Sequence, residues 1–218
     1  MSTLKEALEK VKSELPSHVT LVAVSKTKPL HMIQEAYDAG QRIFGENRPQ
    51  EMAEKAEQLP LDIQWHMIGH LQTNKVKYIL PYVSLIHSMD SLGLMDEVQK
   101  RAKKLEKKID VLLQVHIAQE DQKHGFDAED LMNMVNKKVF NSYNHLCIKG
   151  LMGMATFTED QAQIRKEFRS LKKLFDEMRP LMHENFDTLS MGMSGDMQIA
   201  IEEGSTMVRI GSSIFGNR

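Results

Sequence analysis

The sequence predicts an α/β fold, a single (β/α)8 barrel of the TIM type with an extra helix in front. Two observations carry this. Eight short apolar or β-branched runs alternate with segments of helical periodicity, and no Pro/Gly/Ser-rich linker, low-complexity tract or strong internal repeat interrupts them. The 218 residues also suit one barrel filling residues 1–218, with 41% hydrophobic residues for a sizeable core. The expected strands are 20–25 (TLVAVS), 42–45 (RIFG), 63–68 (IQWHMI), 84–88 (SLIHS), 111–117 (VLLQVHI), 148–154 (IKGLMGM), 188–191 (TLSM) and 207–211 (MVRIG). Between them helices are expected over 30–39, 49–58, 73–80, 92–107, 128–140, 160–184 and 195–203. Pro29 and Pro49 suit a first helical turn, Gly40 a C-terminal stop, and Asp90 or Ser91 an N-cap. The amphipathic segment 3–14 is placed to cover the face left by a short end after strand eight. An open doubly wound sheet is the rival architecture.

Composition narrows the function. Lys+Arg 28 against Asp+Glu 30 gives a net charge of -2 with no basic block, which argues against nucleic acid as a partner. One cysteine, Cys147, excludes an intrachain disulfide framework and reads as a buried structural thiol. No apolar run reaches the roughly 18 residues of a membrane span, and the N-terminus lacks the apolar stretch of a secretory signal, so a cytoplasmic protein without membrane contact is expected. The sixteen methionines read as core filler, and the Lys/Glu-rich stretch 100–108 as a solvated helix face. No hydrophobic stripe stands out as an interface, so a monomer or weak dimer is expected.

In such a barrel the site lies at the carboxyl ends of the strands, so unrelated candidates should all follow strands. Lys26 does, in LVAVSKTKP, and it shares strand parity with Val22 and Val24. If the valines face the barrel, Lys26 does too. There its ammonium loses hydration, its pKa falls, and the neutral amine can attack a carbonyl. Lys28 has the same parity but lies further into the loop beside Pro29, which makes Lys26 the better nucleophile.

After strand seven, Ser194 and Gly195 are expected to open a helix whose free N–H groups favour an anion, and Gly211, Ser212 and Ser213 form a small-residue turn after strand eight. Those are the two loops with which barrels often bind phosphate. Arg209, inside strand eight, needs a partner to be tolerated there. Asn47, after strand two, can offer an amide to a ring substituent or prepare the helix at Pro49. His66 and His70 are four apart, but Met67 stands where a zincin glutamate would be and the segment reads as strand plus turn, so no metal site is expected. His87, His116 and His124 read as loop or satisfied core histidines.

Together VAVSKTKP, FGENRPQE, WHMIGHLQTNK, IHSMDS, KHGF, GLMGMA, LSMGMSGDMQIAI and GSTMVRIGSSIFG resemble, in order and over nearly the whole chain, the YggS/PROSC family of pyridoxal phosphate homeostasis proteins. The resemblance implies a barrel similar to the alanine racemase N-terminal domain (fold type III), with pyridoxal 5'-phosphate (PLP) as cofactor in a Schiff base. By motif position, it implies Lys26 as the Schiff-base lysine and Ser194, Gly211 and Ser212 as phosphate contacts. It also implies that Arg209 faces the pyridine nitrogen and that Asn47 lies near the cofactor.

PLP chemistry uses the ring as an electron sink, best with a protonated ring nitrogen held by a carboxylate. A permanently charged Arg209 opposes that protonation. Racemase relatives also take a second acid/base from a further C-terminal domain, whereas this sequence stops at Arg218, and Tyr37, Tyr78, Tyr82 and Tyr143 all lie away from post-strand positions. The expectation is a non-catalytic carrier that holds PLP on Lys26 and releases it to PLP-dependent apoenzymes. A PLP-dependent racemase, or a lysine Schiff-base enzyme acting on sugar phosphates, is the alternative.

Overall fold

The computed structural model describes residues 3–119 and 124–216, so Lys123 of the KHGF motif lies outside the described residues. Eight strands form the barrel wall: β1 (Thr20–Val24), β2 (Ile43–Glu46), β3 (Gln64–Met67), β4 (Val83–Met89), β5 (Ile109–Gln114), β6 (Leu146–Met152), β7 (Thr188–Met193) and β8 (Met207–Ile210). Each pairs in parallel with the next, and β1 closes the cylinder on β8 in the register Val22 to Arg209. The surrounding helices are α1 (Leu4–Ser13), α2 (Leu30–Asp38), α3 (Pro49–Ala56), α4 (Val76–Ile79), α5 (Leu92–Lys104), α6 (Ala128–Asn136), α7 (Gln161–Met178), α8 (Met197–Glu202) and α9 (Ser212–Phe215). The closed parallel cylinder excludes the open doubly wound sheet.

Two apolar clusters divide along strand parity. Val22, Leu85, Leu112, Met152 and Met207, with Ile43 against them, fill the barrel interior. The alternate residues, among them Leu21, Ala23, Phe44, Trp65, Val111, Leu189 and Val208, face outward and pack with the helices in one continuous core. Met52, Met67, Met89, Met95, Met178 and Met191 are wholly buried in that outer core, as filler.

The N-terminal segment folds as expected. Thr3 caps α1 in a reciprocal capping box with Glu6, and the helix buries Leu8 and Val11 while packing on α2 and the short α9. Ser91, not Asp90, caps α5.

Several expected helices end early, each for a local reason. Pro180 lacks the N–H needed to extend α7, which passes into a 3-10 turn over Arg179–Leu181 instead of running to residue 184. Lys138 (φ 57°) and Glu106 (φ 53°) take left-handed backbone just after α6 and α5, which therefore stop before residues 140 and 107. The segment 73–80 splits into a 3-10 turn and α4. Residues 100–108 are largely exposed, as a solvated face should be. Cys147 lies within β6 rather than before it and is half-buried, correcting the expectation of a buried thiol, and burial beside Asp110 raises its pKa.

Gly150 shows how tightly the wall closes. At φ 155° it lets β6 approach β7 so closely that a Cβ would lie 1.7 Å from the Thr188 carbonyl oxygen. No rotamer relieves a clash with backbone. Gly150→Ala is expected to lower unfolding stability by at least about 3 kcal/mol, read as a fall in the urea midpoint; a midpoint equal to that of the unmodified chain refutes this role.

Candidate functional site

The carboxyl ends of the strands surround a cavity of about 480 Å³. Val24 and Lys26 from the end of β1, Asn47 after β2, Ile68 after β3, and Met154, Ala155, Thr156 and Phe157 after β6 line it. Thr158, Ile164 of α7, Met193 at the end of β7, Ser194, Gly195 and Asp196 after it, Arg209 of β8, and Gly211 and Ser212 after β8 complete it. The six residues that the resemblance implied for the cofactor, Lys26, Asn47, Ser194, Arg209, Gly211 and Ser212, line one space, whereas Ser213 of the turn after β8 does not line it.

Parity explains Lys26. Val22 lies inside the barrel and Val24 lines the cavity, so the residue two further on turns the same way, whereas Ser25 faces outward and is buried. Lys28 does not join it: its ammonium donates to the Phe215 and Gly216 carbonyls at 3.1 and 3.0 Å.

Arg209 is 4% exposed and follows the inward-facing Met207 by two residues. Its guanidinium donates to the carbonyls of Ser190 (3.0 Å) and Gly153 (3.1 Å) and to the Ser190 hydroxyl (2.6 Å). These neutral oxygens are the partner that the sequence required. Desolvation lowers its pKa to about 10, partly offset by Asp196, which leaves it charged at neutral pH. Asp196 itself is pushed up by burial although it accepts from the Met193 N–H.

The loop after β7 departs from expectation. The strand runs on to Met193, so Ser194 and Gly195 form a turn and α8 begins only at Met197. Both face the cavity as turn residues, not as the first residues of a helix. The loop after β6 is held by Glu167 of α7, whose carboxylate accepts from the Thr156 N–H (2.7 Å) and hydroxyl (2.8 Å). Thr156 and Asp196 escaped the sequence reading, although the rule that site residues follow strands reaches both.

Behind Arg209 a polar chain crosses the barrel interior. The Ser190 hydroxyl is 3.1 Å from His87 Nδ1, and His87 Nε2 is 3.0 Å from His66 Nδ1. Because Arg209 donates to Ser190, the serine proton goes to His87 Nδ1 and the His87 Nε2–H goes to His66, so both imidazoles are neutral. Burial lowers the pKa of His66 to about 3, and burial, then repulsion from the charge His66 would carry if protonated and from Arg209, lowers that of His87. His87 is the satisfied core histidine that was expected. His66 pairs with it across β3 and β4 rather than with His70, whose Nδ1 lies 3.0 Å from Asp90 at the rim. Tyr37, Tyr82 and Tyr143 donate to Asp62, Glu57 and Asp96, and no tyrosine lines the cavity.

The unfolded chain protonates these two histidines near 6.5, whereas folded His66 resists protonation down to about 3. Between those values the unfolded state binds more protons, so stability is full above pH 7 and falls on acidification, by up to about 1.4 kcal/mol per pH unit for each histidine. Urea midpoints at pH 7.5 and 5 are expected to differ clearly in the unmodified chain and less in His66→Gln; equal differences would remove His66 as a cause.

Comparison with known proteins agrees with this fold. The family model described as alanine racemase, N-terminal domain, matches residues 1–218. A pyridoxal phosphate homeostasis protein of Aquifex aeolicus is 43% identical over 199 residues, 91% of this chain and 86% of that protein. One from Pasteurella multocida is 39% identical over 206 residues, 93% and 88% of the two chains. PipY of Synechococcus elongatus superposes with a TM-score of 0.91 without PLP and 0.88 with PLP bound, at 35% and 34% identity, over 98% of this chain and 100% of that one. An alanine racemase of Clostridium difficile shares the fold at 14% identity and a TM-score of 0.82, and this chain covers 60% of it. The chain belongs to the alanine racemase N-terminal domain family and, within it, to the pyridoxal phosphate homeostasis proteins.

Proposed function

We propose that the protein binds PLP in this cavity, holds it as a Schiff base on Lys26, and releases it to PLP-dependent apoenzymes. The observation that carries the reading is that an inward-facing amine at the end of β1 shares one cavity with the small-residue loops after β7 and β8. Relatives named as pyridoxal phosphate homeostasis proteins and the PLP-bound PipY structure support it.

The residues suit such a ligand. Val24, Ile68, Met154, Ala155 and Ile164 offer apolar walls to an aromatic ring. Ser194 and Ser212 bring hydroxyls, and Gly195 and Gly211 leave their backbone approachable, where a phosphate would be held. Asn47 offers an amide at the edge of the cavity. For the Schiff base, the Lys26 nitrogen bonds to the aldehyde carbon, both amine hydrogens are lost, and the aldehyde oxygen departs as water. Hydrolysis reverses the step, so a reactive aldehyde is kept from other amines yet remains transferable.

Arg209 favours a carrier over a catalyst. Its charge, held in place by carbonyl oxygens, opposes a proton on a ring nitrogen facing it and so weakens the electron sink that amino-acid chemistry needs. We read residues 1–218 as one PLP-binding domain, acting in the cytoplasm as a monomer or weak dimer. No helix among the described residues is long and apolar enough to cross a membrane.

Borohydride reduction of the PLP-loaded chain followed by peptide mass spectrometry is expected to find the pyridoxyl adduct on the peptide containing Lys26. Lys26→Ala should fold, give no adduct and retain the cofactor only weakly. An adduct confined to another lysine refutes the assignment. In deuterated buffer, the loaded chain is expected to exchange no α-proton of a panel of L-amino acids at enzymatic rates; rapid exchange or D-isomer formation would establish an enzyme instead.

A further inference from the structure

We infer that Glu51, with Lys55 and Glu46, positions the Lys26 amine by clamping the turn on both sides of it. The inference rests on the reading of Lys26 as the PLP-binding lysine. None of the three is among the residues lining the cavity. They lie outside the barrel wall, at the end of β2 and along α3.

Ser25 to Lys28 form a turn closed by the Lys28 N–H on the Ser25 carbonyl at 3.0 Å, which puts Lys26 at its second position. The third, Thr27, has φ 64°, left-handed backbone that glycine or asparagine adopts readily and a β-branched residue does not. Something must hold it there. The Thr27 N–H donates to Glu51 Oε1 at 2.5 Å.

On the other flank, outward-facing Ser25 is wholly buried, and its hydroxyl donates to Glu46 Oε1 at 2.6 Å. Lys55 joins the two flanks. Its ammonium donates to the Ser25 carbonyl (2.8 Å), to Glu46 Oε1 (2.8 Å) and to Glu51 Oε1 (2.7 Å), three acceptors for its three protons. Lys26 therefore hangs between two residues whose backbone is bonded to one buried cluster.

Stability alone is a poor account of that cluster. A buried ion pair gains little over an apolar replacement, and Glu46 Oε2 is buried with no hydrogen-bond partner among the described residues. What the cluster supplies is direction: it fixes the turn geometry that sends the amine into the cavity.

Glu51 is only partly buried, so its variants should fold. Affinities of the full-length chain for PLP and for pyridoxine 5'-phosphate, an alcohol that cannot form a Schiff base, are measured by calorimetry. Glu51→Ala is expected to weaken PLP about tenfold and to leave pyridoxine 5'-phosphate unchanged. Glu51→Gln, which keeps an acceptor for the Thr27 N–H, should restore most of the loss, and Lys55→Met should repeat the selective loss. Equal weakening of both ligands, or no change in either, overturns the inference while a borohydride adduct on Lys26 still stands. Absence of that adduct in the unmodified chain overturns the underlying reading, and this inference with it.

Discussion

Strand alternation in a closed barrel leaves no side chain free to serve both faces, and the end of β1 shows what that imposes. Val22 and Val24 turn inward, so Ser25 must turn outward into the layer beneath α3, and Lys26 turns inward again. One face then supplies an amine at the mouth of the barrel. The other supplies a serine that can be fastened from behind. The chemistry available in the cavity and the rigidity around it come from adjacent residues that never meet the same environment.

The interior follows the same rule along its axis. It holds the apolar Val22, Leu85, Leu112, Met152 and Met207 beside the polar His66, His87, Ser190 and Arg209, which are joined in one hydrogen-bonded line. That line runs in one direction because a guanidinium can only donate. Its charge sits on carbonyl oxygens at the cavity, and the histidines behind it stay neutral in a space that would penalise any second charge. Among the described residues no carboxylate is bonded to the guanidinium, and its hydrogen-bond partners are neutral oxygens.

Much of this was legible in the order of residue types. Periodicity separates the eight strands, and parity turns Val22, Val24 and Lys26 the same way without any coordinates. The requirement that site residues follow strands gathers Asn47, Ser194, Gly211 and Ser212 into one region, and all four line the same cavity. Helix ends were less legible, because the left-handed residues Glu106 and Lys138 carry no glycine to mark them. The pairing of His66 with His87 depends on how β3 and β4 are registered, which sequence separation does not encode; the apparent pair at His66 and His70 is split between strand and loop. The cluster of Glu46, Glu51 and Lys55 was invisible for another reason. An acid and a base four apart on a helix look like a solvated surface pair, and only the packing of α3 on the barrel shows Lys55 to be buried between Glu51 and Glu46.

The Lys28 ammonium, seated on the Phe215 and Gly216 carbonyls, joins the first strand-to-helix loop to the last stretch of described chain. Segments 187 and 188 residues apart in sequence are thereby latched at the rim. Anything that pulls on the polypeptide near Gly216, such as a rigid fusion partner or a tether to a surface, transmits its load to the loop that carries Lys26. Circular permutants and reporters of this protein are accordingly best opened at the opposite, amino-end rim of the cylinder, where a cut leaves that latch intact.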